Sequence, residues 1–125
     1  MLRYKNIGGF QVPVVPRADM PGDYRRLLRR LCEAQNWRCC YCGIEMTVGV
    51  HNKTDCATLE HVIPKSAGGS AEWDNLVAAC RLCNNARGAM YARRFLQMVI
   101  WKGRERAAAW ANRKRGQRKK AAEVH

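Results

Sequence analysis

Apolar and polar positions alternate along this chain with two different periods. From Asp23 to Trp37 the period is helical: Tyr24, Leu27, Leu28, Leu31 and Cys32 recur on one face, and Arg25, Arg26, Arg29 and Arg30 on another. Asp23 stands where an N-cap would. The four arginines read as a solvated face or as a surface for phosphate. Residues 38–57 read as a turn, a short extended piece from Ile44 to Val48, and a polar loop. Thr58 to Ile63 alternates as a strand does and is stopped by Pro64. Lys65 to Asp74 is loop, with Gly68-Gly69 supplying backbone freedom, and Leu76 to Ala79, short and apolar, suits a return strand. After Cys83 a helix is expected. Gly88 interrupts its pattern, and Met90 to Lys102 resumes it with Phe95, Leu96, Val99 and Ile100 grouped for burial.

The two ends lack such order. Residues 1–22 are broken by Gly8, Gly9, Pro13, Pro16, Pro21 and Gly22 and show no periodic pattern, so an arm is expected, its apolar piece Phe10-Gln11-Val12 resting on the domain. Beyond Gly103 the stretch is rich in Ala, Arg and Lys, with helix-forming composition and little to bury except Trp110. A fraying helix, or a basic tail that orders on DNA, is expected there. The division that follows is an arm at 1–22, one domain at 23–102 and a basic tail at 103–125. The fold class is α+β.

Charge sharpens this picture. The 125 residues carry a formal net charge of +13. Residues 1–86 hold 11 Lys/Arg against 8 Asp/Glu, and residues 87–125 hold 12 against 2, so the positive field belongs to the C-terminal third. A polyanion is the expected partner, and the uneven split favours nucleic acid. Arg93, Arg94, Lys102, Arg104, Arg113, Lys114 and Arg115 are the candidate phosphate contacts; a solvated, solubilising tail is the bland alternative. Arg3 and Lys5 are followed by only a short apolar run, unlike a secretory signal, and no stretch reaches the roughly 18 apolar residues of a membrane span. An intracellular, reducing compartment, hence the cytoplasm, is expected, with no membrane partner.

Seven cysteines is an odd number for a disulfide framework, and four of them form two Cys-x-x-Cys pairs. Cys39/Cys42 and Cys80/Cys83 are separated by 37 residues. Each such turn delivers two thiolates to one ion, and two turns complete a tetrahedral structural zinc site. A redox motif would need a thioredoxin-like βαβ context, which is not visible. Cys32 reads as core, and His51 and Cys56 as bystanders. A closed four-thiolate site leaves no open position, so this zinc folds the protein and does not cut. Zinc binding of this kind contributes about 10–16 kcal/mol in small peptides.

Between the pairs lie residues suited to phosphodiester hydrolysis, which needs a base for water and a cation beside the phosphate. His61 suits the base, since neutral imidazole is available near neutral pH. Glu60, its neighbour, faces the other way on a strand and offers a carboxylate to a metal. Asn84 offers a neutral oxygen ligand. Taken singly, Glu60 reads as a surface carboxylate, His61 as a core histidine and Asn84 as a helix cap. Their spacing, Glu60 and His61 between the two thiolate pairs and Asn84 directly after the second, joins them into one candidate site.

The order Cys-x-x-Cys, Glu-His-Val-Ile-Pro, Gly-Gly, Asp-Asn-Leu-Val, Cys-x-x-Cys-Asn and Arg-Gly resembles the HNH endonuclease family, over about residues 37–90. The likeness is strongest to short HNH proteins of phages and prophages. It implies a ββα-metal fold with His61 as general base, Glu60 as the acidic metal ligand and Asn84 as the residue that completes the metal site. It also implies that Asn75 braces the loop between the strands and that Arg87 contacts phosphate, where the family often places Lys. The products implied are 5′-phosphate and 3′-hydroxyl ends, with one divalent ion at the scissile phosphate. Glu60 is a methylene longer than the usual Asp, and Asn84 in place of His favours Mg2+ or Mn2+. Asn85 stays open as an alternative ligand.

The expected function is a metal-dependent DNA endonuclease. With a single metal it cuts one strand, as a nickase does, and a double-strand break needs two copies or two visits. The rivals are a zinc-stapled DNA-binding module without cleavage and a protein-interaction adaptor on the same scaffold. Double-stranded DNA is the expected partner, a monomer and a homodimer both stay open, and the phage likeness implies a packaging terminase nearby.

Overall fold

The computed structural model describes residues 4–7, 10–13, 15, 22–49, 52–63 and 75–123. The loop from Lys65 to Asp74, with Pro64 and Gly68-Gly69, and His51 lie outside the described residues. No helix among those described is long and apolar enough to cross a membrane.

The fold is α+β, as expected. Helix α1 spans Tyr24–Ala34 and is capped by Asp23, whose carboxylate accepts from the Arg25 backbone N–H at 2.9 Å. It buries Leu28, Leu31 and Cys32 and turns the arginine face outward, apart from half-buried Arg30. The central sheet pairs two strands, labelled here β3 (Ala57–His61) and β4 (Leu76–Cys80), antiparallel, with Glu60 opposite Val77 and His61 opposite Leu76. All five β4 residues are buried, which is why that stretch reads as an unbroken apolar run. Its free edge is covered by side chain and turn: Gln35 brackets Ala78 from both ends of its amide, at 2.8 Å each, and the Cys40 N–H donates to the Ala78 carbonyl at 3.2 Å.

Helix α2 (Arg81–Arg87) follows β4 without a loop, with Cys80 as N-cap. Its first N–H groups find the carbonyls of Cys56 and Thr54. Helix α3 (Ala92–Lys102) buries Ala92, Phe95 and Val99, with Phe95 edge-on to Tyr41 at 5.2 Å between centroids. Ile100, expected inside with them, is exposed. Helix α4 (Arg104–Glu123) packs on both α2 and α3.

Two expectations change here. The stretch expected to be an aperiodic arm contains an antiparallel pair, β1 (Tyr4–Ile7) and β2 (Phe10–Pro13), registered from Tyr4 opposite Pro13 to Ile7 opposite Phe10. Val15 beyond it is buried in the core. The stretch expected to bury little beyond Trp110 buries Ala107, Ala108 and Ala111. Alanine gives helices close approach, so a stripe of methyl groups packs where a pattern of large apolar residues would be sought.

Candidate active site and metal centre

The first Cys-x-x-Cys turn follows α1, and the second straddles the junction of β4 and α2. Backbone hydrogen bonds set both turns: Tyr41 N–H and Cys80 N–H donate to Cys39 Sγ at 3.4 and 3.3 Å, and Cys83 N–H donates to Cys80 Sγ at 3.5 Å. The four sulfurs of Cys39, Cys42, Cys80 and Cys83 all lie within 4.8 Å of one another. Thiolates about 2.3 Å from a tetrahedral zinc stand about 3.8 Å apart, and Cys42 and Cys80 Sγ are 3.7 Å apart. The quartet is positioned to bind a metal such as zinc.

Thiols this close cannot all ionise without a cation. Cys39 is pushed up to about 12, chiefly through the Cys40 thiol. Cys42 and Cys83 are raised by hydrogen bonding with Cys39 first, and Cys80 is lowered by the same neighbour. Arg104, the first residue of α4, reaches this cluster: one Nη2 donates to the Thr54 carbonyl at 2.9 Å and approaches Cys80 Sγ at 3.7 Å. It therefore stands, half-buried, beside the thiolates. Its Nε is a buried polar atom without a hydrogen-bond partner among the described residues.

The candidate hydrolytic residues gather along the seam between β3 and α2. Thr58 and Glu60 point to the same side of β3, and Asn84 and Arg87, three apart, share a face of α2. Two side-chain contacts stitch the seam. Asn84 Nδ2 donates to Thr58 Oγ1 at 2.8 Å and to the Leu59 carbonyl at 3.1 Å. Both amide protons are thereby used, leaving the carbonyl oxygen as the atom able to ligate a cation. One turn along, Arg87 Nη1 meets Glu60 Oε1 at 3.1 Å, with the two side chains 0% and 6% exposed. Tyr41 Oη donates to the other Glu60 oxygen at 3.1 Å.

Glu60 is thus not a surface carboxylate. Burial pushes its carboxyl above the ordinary range, while Arg87, Tyr41 and the His61 N–H pull the other way. Tyr41 is raised too, by burial first, and stays a donor. His61 is half-buried on the opposite side of β3. Asn75 closes the site's edge: its amide accepts from Ile63 N–H at 2.8 Å and donates to the Ile63 carbonyl at 3.0 Å, while its own carbonyl accepts from Val62 N–H at 2.9 Å. The two residues flanking 64–74 are held together in this way.

Arg87 departs from the role expected of it. Its guanidinium is buried and bonds the carbonyls of Met90 at 2.7 Å, His61 at 2.6 Å and Val62. In this structure its N–H groups are directed at these carbonyls and at Glu60. Tyr41 escaped the sequence reading altogether, although its place inside Cys39–Cys42 was the available signal. Arg93, Arg94, Arg113, Lys114 and Arg115 are exposed and Lys102 half-exposed. Arg94 lies over the Trp110 ring at 5.4 Å and Lys102 over Trp101 at 4.7 Å. Arg115 donates to the Asn85 carbonyl at 2.7 Å and to Asn112 Oδ1, capping the end of α2. Gly88 beside it has a φ of +54°, and a Cβ there would come to 2.9 Å from Arg115 Nη1, pushing that flexible guanidinium aside.

The donor set suits a hard divalent ion: an anionic carboxylate and an amide oxygen on neighbouring elements. A carboxylate offers about four lone-pair positions, and Arg87 and Tyr41 each address one of the two Glu60 oxygens. A metal held here would share Glu60 with Arg87 and Tyr41.

Residues 39–100 match the family model described as HNH endonuclease. The chain is also similar to the CRISPR-associated endonuclease Cas9 of Corynebacterium diphtheriae, 33% identical over 57 residues. That stretch is 45% of this chain and 5% of the Cas9 length, so the chain corresponds to a small part of that protein. No solved structure matches significantly. The match over residues 39–100, together with the two-strand sheet, the helix laid across it and the four-cysteine cluster, makes this chain a member of the HNH endonuclease family through that segment.

Proposed function

We propose that this protein is a metal-dependent DNA endonuclease that hydrolyses one phosphodiester bond per visit, leaving 5′-phosphate and 3′-hydroxyl ends. The observation that carries this reading is the β3–α2 seam. It buries a carboxylate, Glu60, against Arg87, which lies one helical turn from Asn84, with half-buried His61 next along the strand. His61 acts as general base, taking a proton from water. Glu60 and Asn84 are the residues that would hold Mg2+ or Mn2+, which supplies positive charge beside the phosphate. Asn75 fixes the strand end that carries His61, and the thiolate quartet, loaded with zinc, fixes the helix that carries Asn84. Double-stranded DNA lies along the exposed cations of α3 and α4. The nuclease unit runs past residue 102, because the start of α4 is part of the core.

A second reading, a zinc-stapled DNA-binding module without cleavage, is favoured by one observation: Glu60 already has a cation in Arg87. Supercoiled plasmid separates the two. The nuclease converts it to the open-circular form when Mg2+ or Mn2+ is added, and DNA ligase reseals the product because the ends are 5′-phosphate and 3′-hydroxyl. Binding without any open circle supports the module, and nicks that ligase cannot reseal contradict the proposed ends.

A further inference from the structure

We propose that Arg87 is a positioning residue of this site, holding Glu60 and the His61 backbone in place from behind, and not a phosphate contact. The inference rests on the nuclease reading above. Its basis is where the guanidinium N–H groups go. Nε donates to Met90, Nη1 to the His61 carbonyl and to Glu60, and Nη2 to the Val62 carbonyl. These acceptors belong to three different places: the end of β3, its inward-facing carboxylate, and the junction between α2 and α3. One planar group ties them into a single rigid piece, and its side chain is 0% exposed.

The chemistry explains why a guanidinium stands here. Five donors in a fixed plane serve a carboxylate and several carbonyls at once, whereas an ammonium has three donors around a point. The carbonyl of His61 is held on one side of β3 while its imidazole projects from the other. Moving Arg87 therefore moves the base and the acidic ligand together. A displacement of about 1 Å at a catalytic group costs about a hundredfold in rate.

Three proteins decide the question: wild type, Arg87→Lys and Arg87→Met, each first shown to carry zinc and to unfold cooperatively. Duplex binding is measured across a salt series without added Mg2+ or Mn2+, and nicking is then measured with either ion. A positioning role leaves the affinity and the slope of log K against log salt unchanged in both variants. It lowers kcat about a hundredfold in Arg87→Met with KM within about threefold, and Arg87→Lys recovers part of the loss. A phosphate contact does the reverse: the slope falls by about 0.9 and KM rises while kcat holds. That result overturns the role, as does a variant that cuts like wild type. Should Arg87→Met lose its zinc, Arg87→Lys decides alone; failure of both to fold overturns positioning in favour of plain stabilisation. Wild type that binds but never cuts overturns the nuclease reading and this role with it, whereas wild-type cutting with a lowered slope in the variants overturns this role only.

Discussion

Asn75 shows how much one amide can organise. It is 5% exposed and satisfies both the N–H and the carbonyl of Ile63, two residues beyond His61. Asn75→Asp keeps the shape and the acceptor but loses the donor, placing a carboxylate oxygen against the Ile63 carbonyl. A buried group left without its partner costs about 1–3 kcal/mol, so urea unfolding of the zinc-loaded variant should show a loss of that size, and its nicking rate should fall as the His61 strand end loosens. An unchanged midpoint would mean that the bracket contributes nothing. At this scale the sequence was legible where a residue's chemistry is unusual for a loop or a strand: two Cys-x-x-Cys turns and a Glu-His pair can be seen without coordinates. The burial of Arg87 was not legible, because a buried and an exposed arginine look alike until the groups around them are placed. The approach of Arg104 to Cys80 was hidden for the same reason, since it is one cation among many in the C-terminal third.

Elements were legible in proportion to their periodicity. The faces of α1 and α3 carry large apolar residues at helical spacing, and both helices lie within the stretches expected of them. The β1–β2 pair was hidden because its strands are only four residues each and the second ends on Pro13; Gly8-Gly9 between two short mixed runs was the usable hairpin signal. Helix α4 was legible as a helix but not as part of the core, since alanine carries almost no hydropathic signal. Its packing has a consequence for truncation. Ending the chain before residue 104 removes the methyl stripe at Ala107, Ala108 and Ala111 and the cation at the thiolates. A four-thiolate zinc centre has a net charge of about −2, so Arg104→Met should release zinc to a chelator faster than wild type, and the truncated chain faster still. Equal release from all three proteins would show that α4 is only a tail.

Over the whole molecule, charge and chemistry occupy different parts. The acidic and neutral donors lie along β3 and α2, while exposed cations lie along α3 and α4 and on the outer face of α1. Neutralising cations that touch neither the core nor the thiolates tests the binding surface without disturbing the fold. Arg113→Gln and Lys114→Gln together should lower the salt slope of duplex binding by up to about 1.8, with cleavage of saturating plasmid unchanged. An unaltered slope would move the DNA path away from α4, towards the arginine face of α1.

His61 is the proposed base for hydrolysis, in a scaffold that zinc would hold together. Its most direct test compares wild type and His61→Ala, each verified to contain one zinc, for nicking of supercoiled plasmid at low salt with Mg2+ or Mn2+. Wild type should accumulate open circles, and the variant, equally folded and equally able to bind DNA, should lose at least about a hundredfold in rate. Equal cutting by the two would contradict a chemical role for His61 and place the activity elsewhere.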